Sequence, residues 1–411
     1  MFAHNVKSDL LADRFRVIVS TDIGGSDPDD FQSMVHYLLY SDLFDTEGLL
    51  SSPWGDGRKE DIFAVIDAYE ADYPVLKTWS QAYPSPEALR CMCHQGAISF
   101  APWKGWSVPT EASEHIIACA KKADARPLYI LVWGLLEDVA QALHDAPEIA
   151  PKLRVVYIGG PNKKWGANAY AYIYRSFPDL WIIENNSTYR GWFNGGDMSG
   201  PYGNGTFVQK HIAGHGALGA FFKDRLPAIK MGDTPTVAYL LSGTPEDPAQ
   251  ESWGGSFAAV SAMPMGSFWH KAGMNVLTEV FAVAEIYFRA PDTSPAEEPV
   301  FAVEIRGQLF DGFCIAPGVC AFRFVPKETG DFAYVTHSGH RGMDGLRGLI
   351  HVTDENPAAR INGSLTHWYS DRLDPAFAEG PYKGAGTVSK WRRDFLDSFA
   401  DRFEHCRIPK K

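Results

Sequence analysis

Four aspartates fall within nine residues of this chain, in Ser20-Thr21-Asp22-Ile23-Gly24-Gly25-Ser26-Asp27-Pro28-Asp29-Asp30, directly after the apolar run Phe15 to Val19. Carboxylates this close repel one another unless a cation, a proton or hydrogen-bond donors compensate. Oxygen-only, anionic donors of this kind suit a hard divalent cation such as Ca2+. The glycine pair allows a sharp turn and Pro28 stiffens it, while Phe31 to Leu39 has helical apolar spacing. The segment therefore reads as strand, acidic loop, helix, with the carboxylates at the carboxyl end of the strand, where open α/β sheets place their ligands. A helix N-terminus favoured by the macrodipole would account for one or two of the aspartates but not four.

The chain has 411 residues, more than one ordinary domain requires. Its 38 basic and 50 acidic side chains give a net charge of -12 with no basic run, which argues against nucleic acid or an anionic membrane as partner and fits a neutral or cationic small ligand. No run of about 18 apolar residues suggests a membrane span, and the first 14 residues lack the apolar core of a signal peptide. The chain as given is expected in the cytoplasm, or secreted if an export signal has been removed. Six cysteines are too sparse for a disulfide framework and read as buried thiols, although Cys314 and Cys320 are spaced to bridge across a loop.

Short apolar runs alternating with amphipathic stretches predict a mainly parallel sheet flanked by helices. Strands are expected at 15-20, 45-51, 73-78, 127-133, 153-159 and 180-184. Helices are expected at 29-41, 58-71, 110-123, 136-145, 166-175, near 206-222 and after Thr234. From about 276 to 352 strands dominate, as in Val280 to Phe288, Val300 to Ile305 and Ala321 to Val325, predicting a smaller β-rich, sandwich-like module. Trp391, Phe395, Phe399 and Phe403 lie at helical spacing and predict a final helix packing back on the body. The division expected is residues 1-250 for the α/β domain and 251-411 for the β-rich module with that helix.

The order of these segments resembles the nucleoside hydrolase superfamily, in particular a nucleoside-hydrolase-like group described as cellulose-binding proteins. The resemblance is carried by Ser20 to Asp30, Leu131-Val132-Trp133-Gly134, Gly159-Gly160-Pro161-Asn162-Lys163-Lys164-Trp165, Trp181 to Asn186, Tyr189 to Phe193 and Lys230-Met231-Gly232-Asp233-Thr234-Pro235. It implies that Asp22 binds calcium and deprotonates the attacking water, that Asp29 faces sugar hydroxyls, and that Asp30 and Asp233 are on the metal. A backbone carbonyl ligand would come from Glu137, and self-association is implied as well. Asp27, part of an insertion relative to the family motif, has no assigned role.

The chain also departs from that family. Gly232 stands where many nucleoside hydrolases carry a histidine that helps the base leave, and no amide follows the second strand in Leu49 to Gly55. Asn162 and Asn168 are the nearby amides that could serve the sugar, with Asn185, Arg190 and Trp192 as further substrate-binding candidates. Glu184, at a strand end before Asn185 and Asn186, is the candidate leaving-group acid, ahead of His94 and His215; a structural carboxylate is the alternative. The reading is a calcium-dependent hydrolase of a glycosidic bond in a nucleoside or related sugar, with Asp22 as base for a calcium-held water. A carbohydrate-binding protein that orients hydroxyls without turnover is the alternative.

Overall fold

Arg16–Thr21 is buried at every position and forms the central strand β1 of the first sheet in a computed structural model that describes residues 14–261, 263–340, 342–354 and 365–410. Continuous apolar runs of this kind are what a parallel strand covered on both faces requires. Val17 and Val19 face one helical layer and Ile18 the other. The same logic builds β2 (Asp45–Ser51), β3 (Cys93–Gln95), β4 (Leu128–Val132), β5 (Leu153–Ile158) and β6 (Ile182–Asn185). Helices Asp29–Leu39, Lys59–Trp79 and Arg392–Arg407 cover the first face, and Glu111–Ala120, Glu137–Asp145 and Ala167–Ser176 the second.

The sheet order is β3-β2-β1-β4-β5-β6-β16-β7, with β7 at Phe257–Ala259 and β16 at Trp368–Asp371. All neighbours are parallel except β16 and β7. The order reverses between β1 and β4, and such a switch point opens a crevice at the carboxyl ends of the strands. Asp22 follows β1 and Gly134 lies just beyond β4, so both sit at that crevice.

Between β7 and β16 the chain makes a second eight-stranded, mostly antiparallel sheet. Its strands are β8 (Met265–Trp269), β9 (Asn275–Glu279), β10 (Val283–Arg289), β11 (Phe301–Ile305), β12 (Gln308–Ala316), β13 (Val319–Phe324), β14 (Gly330–Ser338) and β15 (Arg347–Thr353). Ile286, Phe288, Val303, Phe322, Phe332 and Ile350 give it a core of its own. Cys314 and Cys320, cross-strand neighbours on β12 and β13, are disulfide-bonded rather than free thiols. Glu285 on β10 is fully buried and takes Arg323 at 2.7 Å and Arg175 of the α/β domain at 2.6 Å. A carboxylate this deep stays charged only when paired, and the half-exposed Arg175 on helix Ala167–Ser176 makes that pairing a contact between the β module and the α/β domain. The expected boundary at 250 falls just before β7, and β16 returns the chain to the first sheet.

The strand expected at 73-78 is instead the end of helix Lys59–Trp79, which continues through Pro74. Leu76 falls seven residues after Tyr69, on the stripe already made by Ile62, Val65 and Ile66, and burial of that stripe outweighs the hydrogen bond lost at proline. The final helix packs Phe395, Phe399 and Phe403 into the first core. No described helix is long and apolar enough to cross a membrane.

Candidate functional site

The acidic loop and the start of helix Thr234–Leu241 meet at the crevice. Asp29, Asp30 and Asp233 are all buried, and each offers a carboxylate oxygen within 4.8 Å of the others. Asp30 accepts from Thr21 Oγ1, Asp29 Oδ2 accepts from the Gly232 amide at 2.9 Å, and Asp233 Oδ2 accepts from Ser33 Oγ at 3.3 Å. The carboxyl groups of Asp22 and Asp30 share a hydrogen bond, which brings Asp22 to the edge of this set. Gly134 makes room for it: a Cβ there would stand 2.7 Å from Asp22 Cβ and 2.6 Å from Ser52 Oγ.

Burial, followed by the charge of Asp29, pushes the Asp22 carboxyl up to about 7. Burial and the Asp30 charge hold Asp29 well above the carboxylate range; burial and Asp22 do so for Asp30, and burial, Asp30 and Asp29 for Asp233. Asp27 differs. Partial burial raises it, but hydrogen bonds with Asp29 and Lys230 outweigh that and hold it below the ordinary range. Lys230 pairs with Asp27 and lies 3.7 Å from Asp29 Oδ1. Its single charge is the only cation paired with this set among the described residues. Four carboxyl groups whose ionisation is opposed by burial and by one another are the donor set that a hard divalent cation relieves, so the residues present fit such an ion.

The other residues singled out from sequence are distributed more widely. Glu137 opens its helix with Oε1 3.4 Å from the Ala101 amide and Oε2 without a partner among the described residues. Burial pushes it up to about 8, and its side chain is outside the three-carboxylate group. Asn162 Nδ2 donates to the carbonyls of Trp133 at 2.6 Å and Ile158 at 3.1 Å, tying together the ends of β4 and β5. Asn168 donates to Ala101 O and accepts from Arg323 at 2.6 Å, which makes it part of the contact with the β module. Asn185 Oδ1 accepts from the Tyr189 amide at 2.6 Å. Trp192 corrects the expectation of a ligand-facing ring: it is fully buried and stacked on Phe395 at 3.7 Å, because the final helix covers it. His215 pairs with Glu404 on that same helix, and His94 stacks on His115.

Glu184 is buried and doubly held, by Lys163 on one oxygen and by Tyr170 on the other, with Asn186 Nδ2 at 3.4 Å. It lines a cavity of about 760 Å³ between the first sheet and the β module, together with Lys163, Arg190, Phe281, Asp371 and Tyr382. The acidic cluster is not among that cavity's lining residues, so this cavity and the carboxylate chemistry are adjacent rather than coincident. Arg190 lies over the rings of Tyr189 and Tyr382, and Tyr189 reaches to 3.6 Å from the Cβ position of Gly232. A Cβ on Gly232 would also stand 2.4 Å from Asp29 Oδ2, so this carboxylate placement leaves no space for a histidine there. Sequence reasoning missed Lys230 and Lys163 as the counter-charges, since nothing local marks which carboxylate a lysine will meet.

Residues 16–257 match the family described as cellulose-binding Sde182, nucleoside hydrolase-like domain, and the chain belongs to that family. Among solved structures it is similar to a nucleoside hydrolase-related hypothetical protein from Saccharophagus degradans associated with carbohydrate metabolism. The two are 20% identical over 83% of this chain and 100% of that one, with a TM-score of 0.52, which shows a shared fold. It is also similar to a purine-preferring ribonucleoside hydrolase from Gardnerella vaginalis (13% identity, 95% of this chain and 98% of that one, TM-score 0.46). A third similar structure is an inosine-uridine preferring nucleoside hydrolase from Bacillus anthracis (16% identity, 61% and 86%, TM-score 0.40). No curated protein matches the sequence.

Proposed function

We propose that the protein is a calcium-dependent hydrolase of a glycosidic bond, with Asp22 as the general base. The observation that carries this is the meeting of Asp29 and Asp30 with Asp233, some 200 residues away, around one buried point, with Asp22 at its edge. Asp30 and Asp233 would hold the ion with Asp29 or Asp22 completing the set, and Glu137 O is the further ligand proposed from its helix start. When bound, calcium supplies positive charge that fixes sugar hydroxyls and favours ionisation of water. Asp22 would take the proton of a water that attacks the anomeric carbon, and Asp29 would accept from a sugar hydroxyl. On the leaving side Glu184 is the candidate, yet both of its carboxyl oxygens are already taken, one by Lys163 and the other by Tyr170. The arrangement suits a bond whose leaving group departs without a strong acid.

That weak leaving side, with Gly232 in place of an acid, favours a second reading: binding of a carbohydrate through its hydroxyls without turnover, in keeping with the family's cellulose-binding description. One experiment separates the two. The protein is incubated with Ca2+ and a panel of nucleosides and glycosides, and reducing sugar and binding are both measured. Sugar release abolished in Asp22→Asn supports the hydrolase; calcium-dependent binding without release supports the second reading; neither, with all panels tested, contradicts both.

A further inference from the structure

Beside the acidic loop, rings from four separate segments meet: Trp54 after β2, Phe100 after β3, Trp165 at the end of helix Gly160–Trp165, and Phe310 on β12. Trp54 and Trp165 have centroids 5.2 Å apart at 60°, Trp54 and Phe100 5.9 Å at 42°, Phe100 and Trp165 6.4 Å at 19°, and Trp165 and Phe310 6.0 Å at 14°. The set has a supported back: Phe310 is buried in the module core, and Lys164 Nζ lies 4.7 Å from the Trp165 ring and 5.3 Å from that of Phe310 while donating to Gln308. Its front is partly open, with Phe100 42% exposed, nearby Ile98 61% exposed, and Trp54 and Trp165 half-buried. Trp54 joins the set to the carboxylates. Its Nε1 donates to Ser26 Oγ at 3.1 Å, and its Cδ1 packs so close on Gly25 that a Cβ there would stand 2.3 Å away.

We infer that this aromatic shelf is a saccharide subsite continuous with the carboxylate site, so that the ligand is a neutral oligosaccharide with one unit over the carboxylates and the next stacked on Trp54 and Trp165. The inference deepens the proposed function and rests on its placement of a sugar at the carboxylates. Large rings bring apolar area to a ligand at small entropy cost, and an open ring face matches the C–H face of a pyranose with equatorial hydroxyls. A nucleobase held between two rings needs parallel faces with a gap between them. Trp54 and Trp165 meet at 60° and form no such slot; Phe100 and Trp165 are nearly parallel at 19°, so inosine is the competing ligand in the test below. The net charge of -12 disfavours anionic ligands such as nucleotides and favours uncharged sugars. The β module thereby gains a part in binding, since Phe310 and Gln308 on β12 brace Trp165 and Lys164 from behind.

The test is calorimetric titration of the full chain in Ca2+ with cellotetraose, glucose and inosine, for wild type, Trp54→Ala, Trp165→Ala and, as a ring outside the shelf, Trp269→Ala. The expected result is tetraose binding clearly tighter than glucose, weakened about tenfold by each shelf substitution and unchanged in Trp269→Ala. Where a tryptophan variant does not fold, Phe100→Ser, whose ring is already exposed, takes its place. Tetraose affinity unchanged by the shelf substitutions, no tetraose binding by wild type, or inosine weakened as much as tetraose would each overturn the inference. Thermal stabilisation by calcium, read on the same samples, reports separately on the carboxylate site, so a failed shelf with calcium stabilisation retained leaves the proposed function standing.

Discussion

Stripping divalent cations from the protein and titrating calcium back perturbs the carboxylate cluster without changing a residue. In the metal-free state Asp22, Asp29, Asp30 and Asp233 all have carboxyl groups raised by burial and by one another, Asp22 to about 7. A folded-state value above the unfolded one means that the stabilising contribution is present below the unfolded value, near 3.8, and is lost as pH rises through the folded value. Metal-free protein is therefore expected to lose stability between about pH 4 and 7, as carboxylates that cannot disperse their charge become ionised. Calcium at about 100 times its dissociation constant adds ~2.7 kcal/mol by mass action. For a chain of 411 residues that is roughly 3 °C in melting temperature. Because the carboxyl groups must ionise to bind, calcium uptake near pH 6.5 releases protons, and the apparent affinity climbs with pH. Differential scanning calorimetry at pH 5.5 and 7.5, with titrations in two buffers of different ionisation enthalpy, measures all three effects. A calcium shift below about 1 °C at both pH values, or binding with no proton release, refutes the reasoning.

Gly134→Ala forces a Cβ to within 2.7 Å of Asp22 Cβ; it should cost about 1–3 kcal/mol in denaturant unfolding and lower calcium affinity. Lys163→Met leaves Glu184 buried without its counter-charge, for a loss of about 3–5 kcal/mol, and adding Glu184→Gln should restore much of it; an additive double mutant would deny the pairing. Reducing Cys314–Cys320, a loop with a sequence separation of six, should destabilise the β module by about 2 kcal/mol, and mass spectrometry after alkylation should find these two cysteines protected until reductant is added. Asp22→Asn should keep part of the calcium-induced thermal shift, held by Asp30 and Asp233, while lowering any turnover by about 10²–10⁴-fold.

The central strands and the acidic loop were legible because their signals are local. Buried parallel strands such as Arg16–Thr21 and Leu128–Val132 are continuous apolar runs, and crowded aspartates advertise their own electrostatic problem. β3 spans three residues, too few to show any periodicity, and β16 joins β6 across about 180 residues, a pairing that no local pattern records. The helix through Pro74 was misread because proline and Val75-Leu76 outweigh, over six residues, an apolar stripe visible only over twenty. At the site, the carboxylates were readable and their partners were not. Asn162 looks like a sugar-binding amide until the carbonyls of Trp133 and Ile158 are seen to claim it, and Trp192 looks like a loop ring until the final helix covers it. The aromatic shelf draws Trp54, Phe100, Trp165 and Phe310 from positions up to 256 residues apart, and only the fold assembles it.

The most direct measurement is diffraction from crystals grown with saturating calcium, with an anomalous map to locate the ion. The account predicts a single site with oxygens of Asp30 and Asp233 at about 2.3–2.6 Å and a carboxylate of Asp29 or Asp22 beside them. A map in which these side chains turn away from one another, with no ion between them, would contradict it.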